Sequence, residues 1–207
     1  KVAFDLAAMQ ARKNKISSGL TGGIGALFKA NGVTGIEGWA RLLGDGKVEV
    51  TPHKGDKQTL EAEHIIIATG SEPVQLKIAP HDGEFIVDSW DALDFTAVPK
   101  RLGIIGAGVI GVELGSVWSR LGAETVLLEA AESFLPMVDA AISKEALRHY
   151  GKQGLDIRLG AKVIKAAKKG KGVEVSFELK GKTETETFDK LIVAVGRRPF
   201  TDKLGAE

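Results

Sequence analysis

Leu102-Gly103-Ile104-Ile105-Gly106-Ala107-Gly108-Val109-Ile110-Gly111 is the stretch that decides the fold. Its first four residues form an apolar run of the kind found in strands buried on both faces. A Gly-x-Gly-x-x-Gly spacing follows at once, and Ile110, Leu114, Val117, Trp118 and Leu121 then line one face of a helix. Gly122 stops that helix, and Glu124 to Leu128 read as the next strand, ending at Glu129. A strand, a glycine loop, a helix and an acidic strand end in this order are the start of a βαβ unit that cradles a dinucleotide. In that reading Gly106 permits the tight turn, Gly108 lets the backbone approach a pyrophosphate, and Gly111 lets the helix pack on the strand. The helix N-terminus contributes unpaired N–H groups and a partial positive charge, with Val109 and Ile110 as its first residues. Glu129, 18 positions beyond the last glycine (129 − 111), can accept hydrogen bonds from ribose hydroxyls. No Arg or Lys occurs in the following Ala130-Ala131-Glu132 to offset its repulsion of a 2′-phosphate, so NAD is expected rather than NADP.

Outward from this core, Ile142 to Tyr150 reads as a helix and Asp156 to Leu159 as a strand. Lys162 to Ala167, Val173 to Lys180 and Thr185 to Phe188 read as a meander, and Leu191 to Val195 as a further buried strand. The basic run Lys168 to Lys171, beside Gly170 and Gly172, reads as a solvated hairpin turn. Toward the N-terminus, Val2, Leu6, Met9, Ile16, Leu20, Ile24 and Leu27 predict an amphipathic helix, weakened in its second half by Gly19, Gly22, Gly23 and Gly25. Those glycines read as packing positions, since no strand precedes them as a phosphate loop requires. Short β-rich runs over Val33 to Leu43, Val48 to Thr51 and Thr59 to Glu61 predict a hairpin sheet. Ile65-Ile66-Ile67-Ala68-Thr69-Gly70 then predicts a strand buried on both faces.

That last run, continuing to Ser71-Glu72-Pro73, resembles Leu191-Ile192-Val193-Ala194-Val195-Gly196-Arg197-Arg198-Pro199. The two glycines are 126 positions apart (196 − 70), so a first-copy fingerprint equivalent to Gly106 would fall before residue 1. The expectation is a chain that carries an internal duplication and lacks the start of its first nucleotide-binding lobe.

Composition narrows the function classes. With 207 residues, 43% hydrophobic and 27% charged, the chain is expected to be globular. A formal net charge of +1 gives no electrostatic case for nucleic acid or an anionic membrane as partner. No apolar run reaches the length of a membrane span and no signal pattern opens the chain, so a soluble cytoplasmic protein is expected. Cysteine is absent, which removes thiolate chemistry from this stretch. His53, His64, His81 and His149 show no paired spacing, so no metal site is expected and each reads as a surface residue.

The run from Gly106 to Trp118, with Arg120-Leu121-Gly122-Ala123, resembles the NAD-binding segment of the dihydrolipoamide dehydrogenases. These belong to the pyridine nucleotide-disulfide oxidoreductases and serve as the E3 component of 2-oxo acid dehydrogenase complexes. The likeness extends to Phe134-Leu135-Pro136, Lys190 to Pro199 and Leu20 to Ile24, and so to essentially the whole chain. It implies an α/β flavoprotein with two dinucleotide-binding domains. Residues 1–72 would be a partial FAD-binding domain, 73–199 a Rossmann-like NAD-binding domain, and 200–207 a return to the FAD domain. It further implies FAD beside Gly38, Ala40, Thr69, Gly70 and Ser71, and NAD beside Val163 and Gly196. Glu113 would be the acid at the nicotinamide end. On the residues alone, Val163 reads as core packing in preference to a cofactor neighbour, and Gly70 and Gly196 read equally as turn glycines. The implied reaction is oxidation of protein-bound dihydrolipoamide, through a redox disulfide and FAD to NAD, in a homodimer that meets the lipoyl domain of its complex. No catalytic residue of that reaction falls within residues 1–207. Mercuric and glutathione reductases, or a stand-alone NAD-binding module without catalysis, are the alternatives.

Overall fold

The structure, a computed structural model, describes residues 3–206. Its chain divides into two compact units, one of 3–6 with Pro73–Arg198 and one of Ala7–Glu72 with 199–206.

The second of these begins with α1 (Leu6–Ala30), followed by the antiparallel meander β1 (Gly38–Gly44), β2 (Lys47–Pro52) and β3 (Gln58–Glu61). The helix runs through all four glycines, because their cost of about 1 kcal/mol each is a tax on helicity and not a stop. It ends in a Schellman motif, with Val33 N–H on Phe28 O at 2.9 Å and Gly32, at φ +66°, on Lys29 O. The first residue expected in this helix, Val2, lies outside the described residues, as do Lys1 and Glu207 of the expected domain limits. None of its residues is buried. The strand expected from Val33 starts only at Gly38.

The buried strand expected over Ile65 to Gly70 is corrected by the structure. These residues form no strand, and Ile66 is 90% exposed. A strand buried on both faces needs neighbours along its edges and a layer on each side. Among the described residues of this unit the sheet is the β1–β2–β3 meander, which does not pair with it. The chain crosses between units in two short strands, β4 (Ser71–Pro73) and β13 (Arg197–Pro199).

The larger unit contains a five-stranded parallel sheet of order β5-β12-β6-β7-β8, with β5 Ile86–Val87, β6 Arg101–Ile105, β7 Glu124–Glu129, β8 Leu155–Leu159 and β12 Lys190–Val193. Helices α2 (Val109–Arg120) and α3 (Ala140–Lys152) cover one face, and the antiparallel meander β9 (Lys162–Lys169), β10 (Gly172–Leu179) and β11 (Lys182–Phe188) covers the other. Strand alternation sorts the side chains. Ile104, Leu127 and Ile192 pack with Trp118 and Val112 on the helix side, whereas Ile105, Val126, Leu128, Leu191 and Val193 pack with Val173, Val175 and Phe177 on the meander side. This explains why β6, β7 and β12 read as unbroken apolar runs.

Helix α2 turns Gly111, Val112, Leu114, Gly115 and Trp118 inward. Val117, expected on the same face, is 45% exposed. Two glycines at i and i+4 let the helix lie so close that its buried stripe shifts one residue away from the face traced by the large side chains. Gly122, at φ +108°, ends the helix in a second Schellman motif, Ala123 N–H on Trp118 O and Gly122 N–H on Ser119 O, each at 3.0 Å. Asp139 caps α3 by accepting from Ala141 N–H at 2.9 Å.

The meander is tied to the sheet by charge. Glu186 of β11 accepts from Arg101 of β6 and Arg158 of β8, while Arg101 also meets Glu124 at 2.8 Å and Arg158 meets Asp156 at 2.7 Å. Burial alone would raise the Glu186 carboxyl, but hydrogen bonds from Arg158 and Arg101 and their charges outweigh it, so its pKa lies below the ordinary value.

Candidate functional site

At the carboxyl ends of β6, β7 and β12 the chain opens a cleft of about 610 Å³. The loop from β6 into α2 forms its floor. Gly106 stands at φ +101°, and a Cβ there would lie 2.5 Å from Ala194 O, so only glycine makes this turn. A Cβ on Gly111 would lie 2.2 Å from Gly106 O, which fixes the start of α2 against the loop it leaves. Gly108 differs. It is the N-cap of α2 in extended conformation, with no side-chain cap, and beyond its two chain neighbours nothing among the described residues lies within 4 Å of where its Cβ would be. The first-turn N–H groups of an α-helix have no intrahelical partner, and here no side chain supplies one. They and the space beside Gly108 form a seat for an anion.

Glu129 ends β7 on the wall of the cleft. One carboxylate oxygen accepts from Ala107 N–H and the other from Ala131 N–H, each at 2.8 Å. The acid is therefore locked to the glycine loop and does more than solvate a strand end. A carboxylate has about four lone-pair positions, so two remain for ribose hydroxyls. Val109, Ile110, Val163 and Gly196 line the same cleft, and Val163, at 7% exposure, also belongs to the core. Gly196, at φ +124°, is a turn glycine whose carbonyl accepts from Val74 N–H.

Glu113 is not brought to the cleft. It is exposed, one turn along α2, and borders a shallow groove with Ser116, Val117 and Tyr150.

The FAD-side residues fall in the smaller unit. Ala40 of β1 lines a pocket of about 400 Å³ with Trp39, Thr51 and Phe200. The Trp39 and Phe200 rings lie 6.1 Å apart, and Phe200 N–H donates to Gly70 O at 3.0 Å, which brings Gly70 to the same place. Thr69 and Ser71 flank it in sequence. Gly38 is required by strand packing, since a Cβ there would lie 2.4 Å from Thr51 O.

Two polar features escaped sequence reasoning. His81, taken as a lone surface residue, pairs with Asp91 at 2.6 Å, and Asp88 lies in the same group. Both carboxylates accept backbone N–H bonds, Asp88 from Trp90 and Asp91 from Asp88, so the cluster organises the loop after β5. Lys162 lines the same cleft as Glu129 although 33 positions separate them (162 − 129). No helix among the described residues is long and apolar enough to cross a membrane.

A parallel sheet in which one strand runs through a glycine loop into a helix, with an acid at the end of the neighbouring strand, defines a Rossmann-like dinucleotide-binding unit. The chain belongs to the pyridine nucleotide-disulphide oxidoreductase family, whose model matches residues 3–207. It is 44% identical over 206 residues to a dihydrolipoyl dehydrogenase 3 of Pseudomonas aeruginosa, covering 99% of this chain and 44% of that protein. Among solved structures it is similar to LpdA of Mycobacterium tuberculosis (TM-score 0.88, 25% identity, 99% of this chain and 45% of that one). It is also similar to the HOCl-induced flavoprotein disulfide reductase RclA of Escherichia coli (TM-score 0.82, 29% identity, 97% and 45%). The chain thus spans a little under half the length of these relatives.

Proposed function

We propose that this chain is the NAD-binding domain and part of the FAD-binding domain of a dihydrolipoyl dehydrogenase, which oxidises protein-bound dihydrolipoamide with NAD through FAD and a redox disulfide. The observation that carries this reading is the cleft itself, in which an uncapped helix N-terminus, the open space at Gly108 and the carboxylate of Glu129 stand together. The α2 amides would hold the pyrophosphate, Glu129 the adenosine ribose hydroxyls, Val163 the adenine-ribose half and Gly196 the nicotinamide half. Ala40, Gly70 and their neighbours would lie against FAD. NAD supplies the hydride acceptor when bound, and the protein's part is to place and orient it. The 207 residues contain no cysteine, so the dithiol belongs elsewhere in the enzyme. The identity to dihydrolipoyl dehydrogenases supports this choice over other disulfide reductases. In the same reading the enzyme is a cytoplasmic homodimer whose partner is the lipoyl domain of a 2-oxo acid dehydrogenase complex.

Calorimetric titration of NADH into the 207-residue chain should give saturable one-to-one binding. Absence of binding overturns the reading.

A further inference from the structure

The turn before β9 runs along the end of β7, with Ala161 N–H on Glu129 O at 2.8 Å and Gly160 N–H on Ala131 O at 2.9 Å. Lys162 is the next residue. It is exposed, and its ammonium makes no hydrogen bond or ion pair among the described residues, although the Glu129 carboxylate borders the same cleft. Among the described residues lining that cleft it is the one cation, as Glu129 is the one carboxylate. Glu129 is held on the backbone amides of Ala107 and Ala131, and Lys162 stands opposite Glu178 in the β9–β10 register without an ion pair to it.

A carboxylate and an ammonium at one end of a nucleotide cleft make opposite demands on the sugar. The carboxylate accepts from a 2′-hydroxyl and repels a 2′-phosphate, while the ammonium attracts the phosphate and gains little from the hydroxyl. We propose that Lys162 is a specificity-determining residue for the 2′ position of the adenosine ribose, a counterweight to Glu129 that keeps NADP(H) binding weak but not abolished. This rests on the nucleotide reading of the cleft. The residues after Glu129 offer no such cation, so the balance between the two cofactors is set across the β7–β9 boundary and not within one loop.

The test is a double-mutant cycle read by calorimetric titration of NADH and NADPH into the 207-residue chain. Glu129→Gln retains an oxygen for Ala107 N–H and removes the charge, so NADPH affinity should rise by roughly tenfold relative to NADH. Lys162→Ala should lower NADPH affinity by roughly fivefold, the scale of an exposed ion pair, and leave NADH affinity within about twofold. In the Glu129→Gln background, Lys162→Ala should cancel most of the gain and Lys162→Arg should keep it. An NADPH affinity that Lys162→Ala leaves unchanged in both backgrounds, or an equal effect of Lys162→Ala on both nucleotides, overturns the proposal while NADH binding stands. Failure of the unmodified chain to bind either nucleotide overturns the nucleotide reading beneath it.

Discussion

Replacing Gly108 with alanine separates the binding role of the glycine loop from its folding role. The residue has φ −71° and ψ −178°, a conformation open to alanine, and beyond its two chain neighbours no described atom lies within 4 Å of the new methyl. Loss of unfolded-state entropy favours alanine by about 0.4–1 kcal/mol, and the poorer N-cap preference opposes it by a similar amount. The two offset each other to within about 0.5 kcal/mol, which for a chain of this size is a melting shift of no more than roughly 2 °C. The methyl nevertheless occupies the space beside the first-turn amides. Loss of one hydrogen bond to a charged phosphate costs about 1.5–3 kcal/mol, so NADH should bind roughly 10- to 100-fold more weakly. Gly111→Ala is the contrast, because its Cβ would meet Gly106 O at 2.2 Å and backbone cannot rotate aside. It should lower stability by about 1–3 kcal/mol. Thermal melts and NADH titrations of both variants give the comparison. A Gly108→Ala protein that binds NADH as the unmodified chain does would refute the argument that the open space is the phosphate seat.

Further outcomes follow from the larger unit. Glu186→Gln should reduce stability by roughly 1–3 kcal/mol at neutral pH, since two guanidinium groups lose a charged acceptor. Because the folded-state pKa of Glu186 is depressed below 4.5, the difference should be full above that value and shrink as pH falls through the folded pKa, which chemical denaturation at several pH values can follow. Gly103→Val should destabilise by about 1–3 kcal/mol in a thermal melt, since even a Cβ would lie 2.9 Å from the Phe188 ring that joins the meander to the sheet. Trp118→Ala should cost about 3–5 kcal/mol by denaturant titration. Trp118→Phe should cost much less, because it also removes an indole N–H that is buried without a partner among the described residues.

The parts of the fold legible in the sequence are those in which a local pattern carries its own partner. The β6 loop and α2 lie within one βαβ unit, so the glycine spacing, Gly122 and Glu129 could be read from short-range order. The turn at Lys168 to Lys171 and the meander strands were legible for the same reason, their partners being the next strand along the chain. Ile65 to Ile67 were not, because burial of an apolar run depends on strands the run does not contain. Val117 was misplaced because the helical face was traced by side-chain size, whereas the closest packing runs through Gly111 and Gly115. In the site, the position of Glu129 at the end of the second strand is legible from the spacing, but its bonds to Ala107 and Ala131 depend on how the loop folds back over β7. Lys162 and the His81–Asp91 pair are contacts made by the fold, with no periodicity to announce them.

The central claim is that the β6–α2 loop and the end of β7 hold a nicotinamide dinucleotide. Amide hydrogen exchange of the 207-residue chain, with and without saturating NADH, tests it at the residues themselves. NADH should slow exchange in the segments containing Gly108 to Gly111, Glu129 and Val163, with little change in α1. Protection that appears elsewhere and leaves the Gly108 segment unchanged would contradict it.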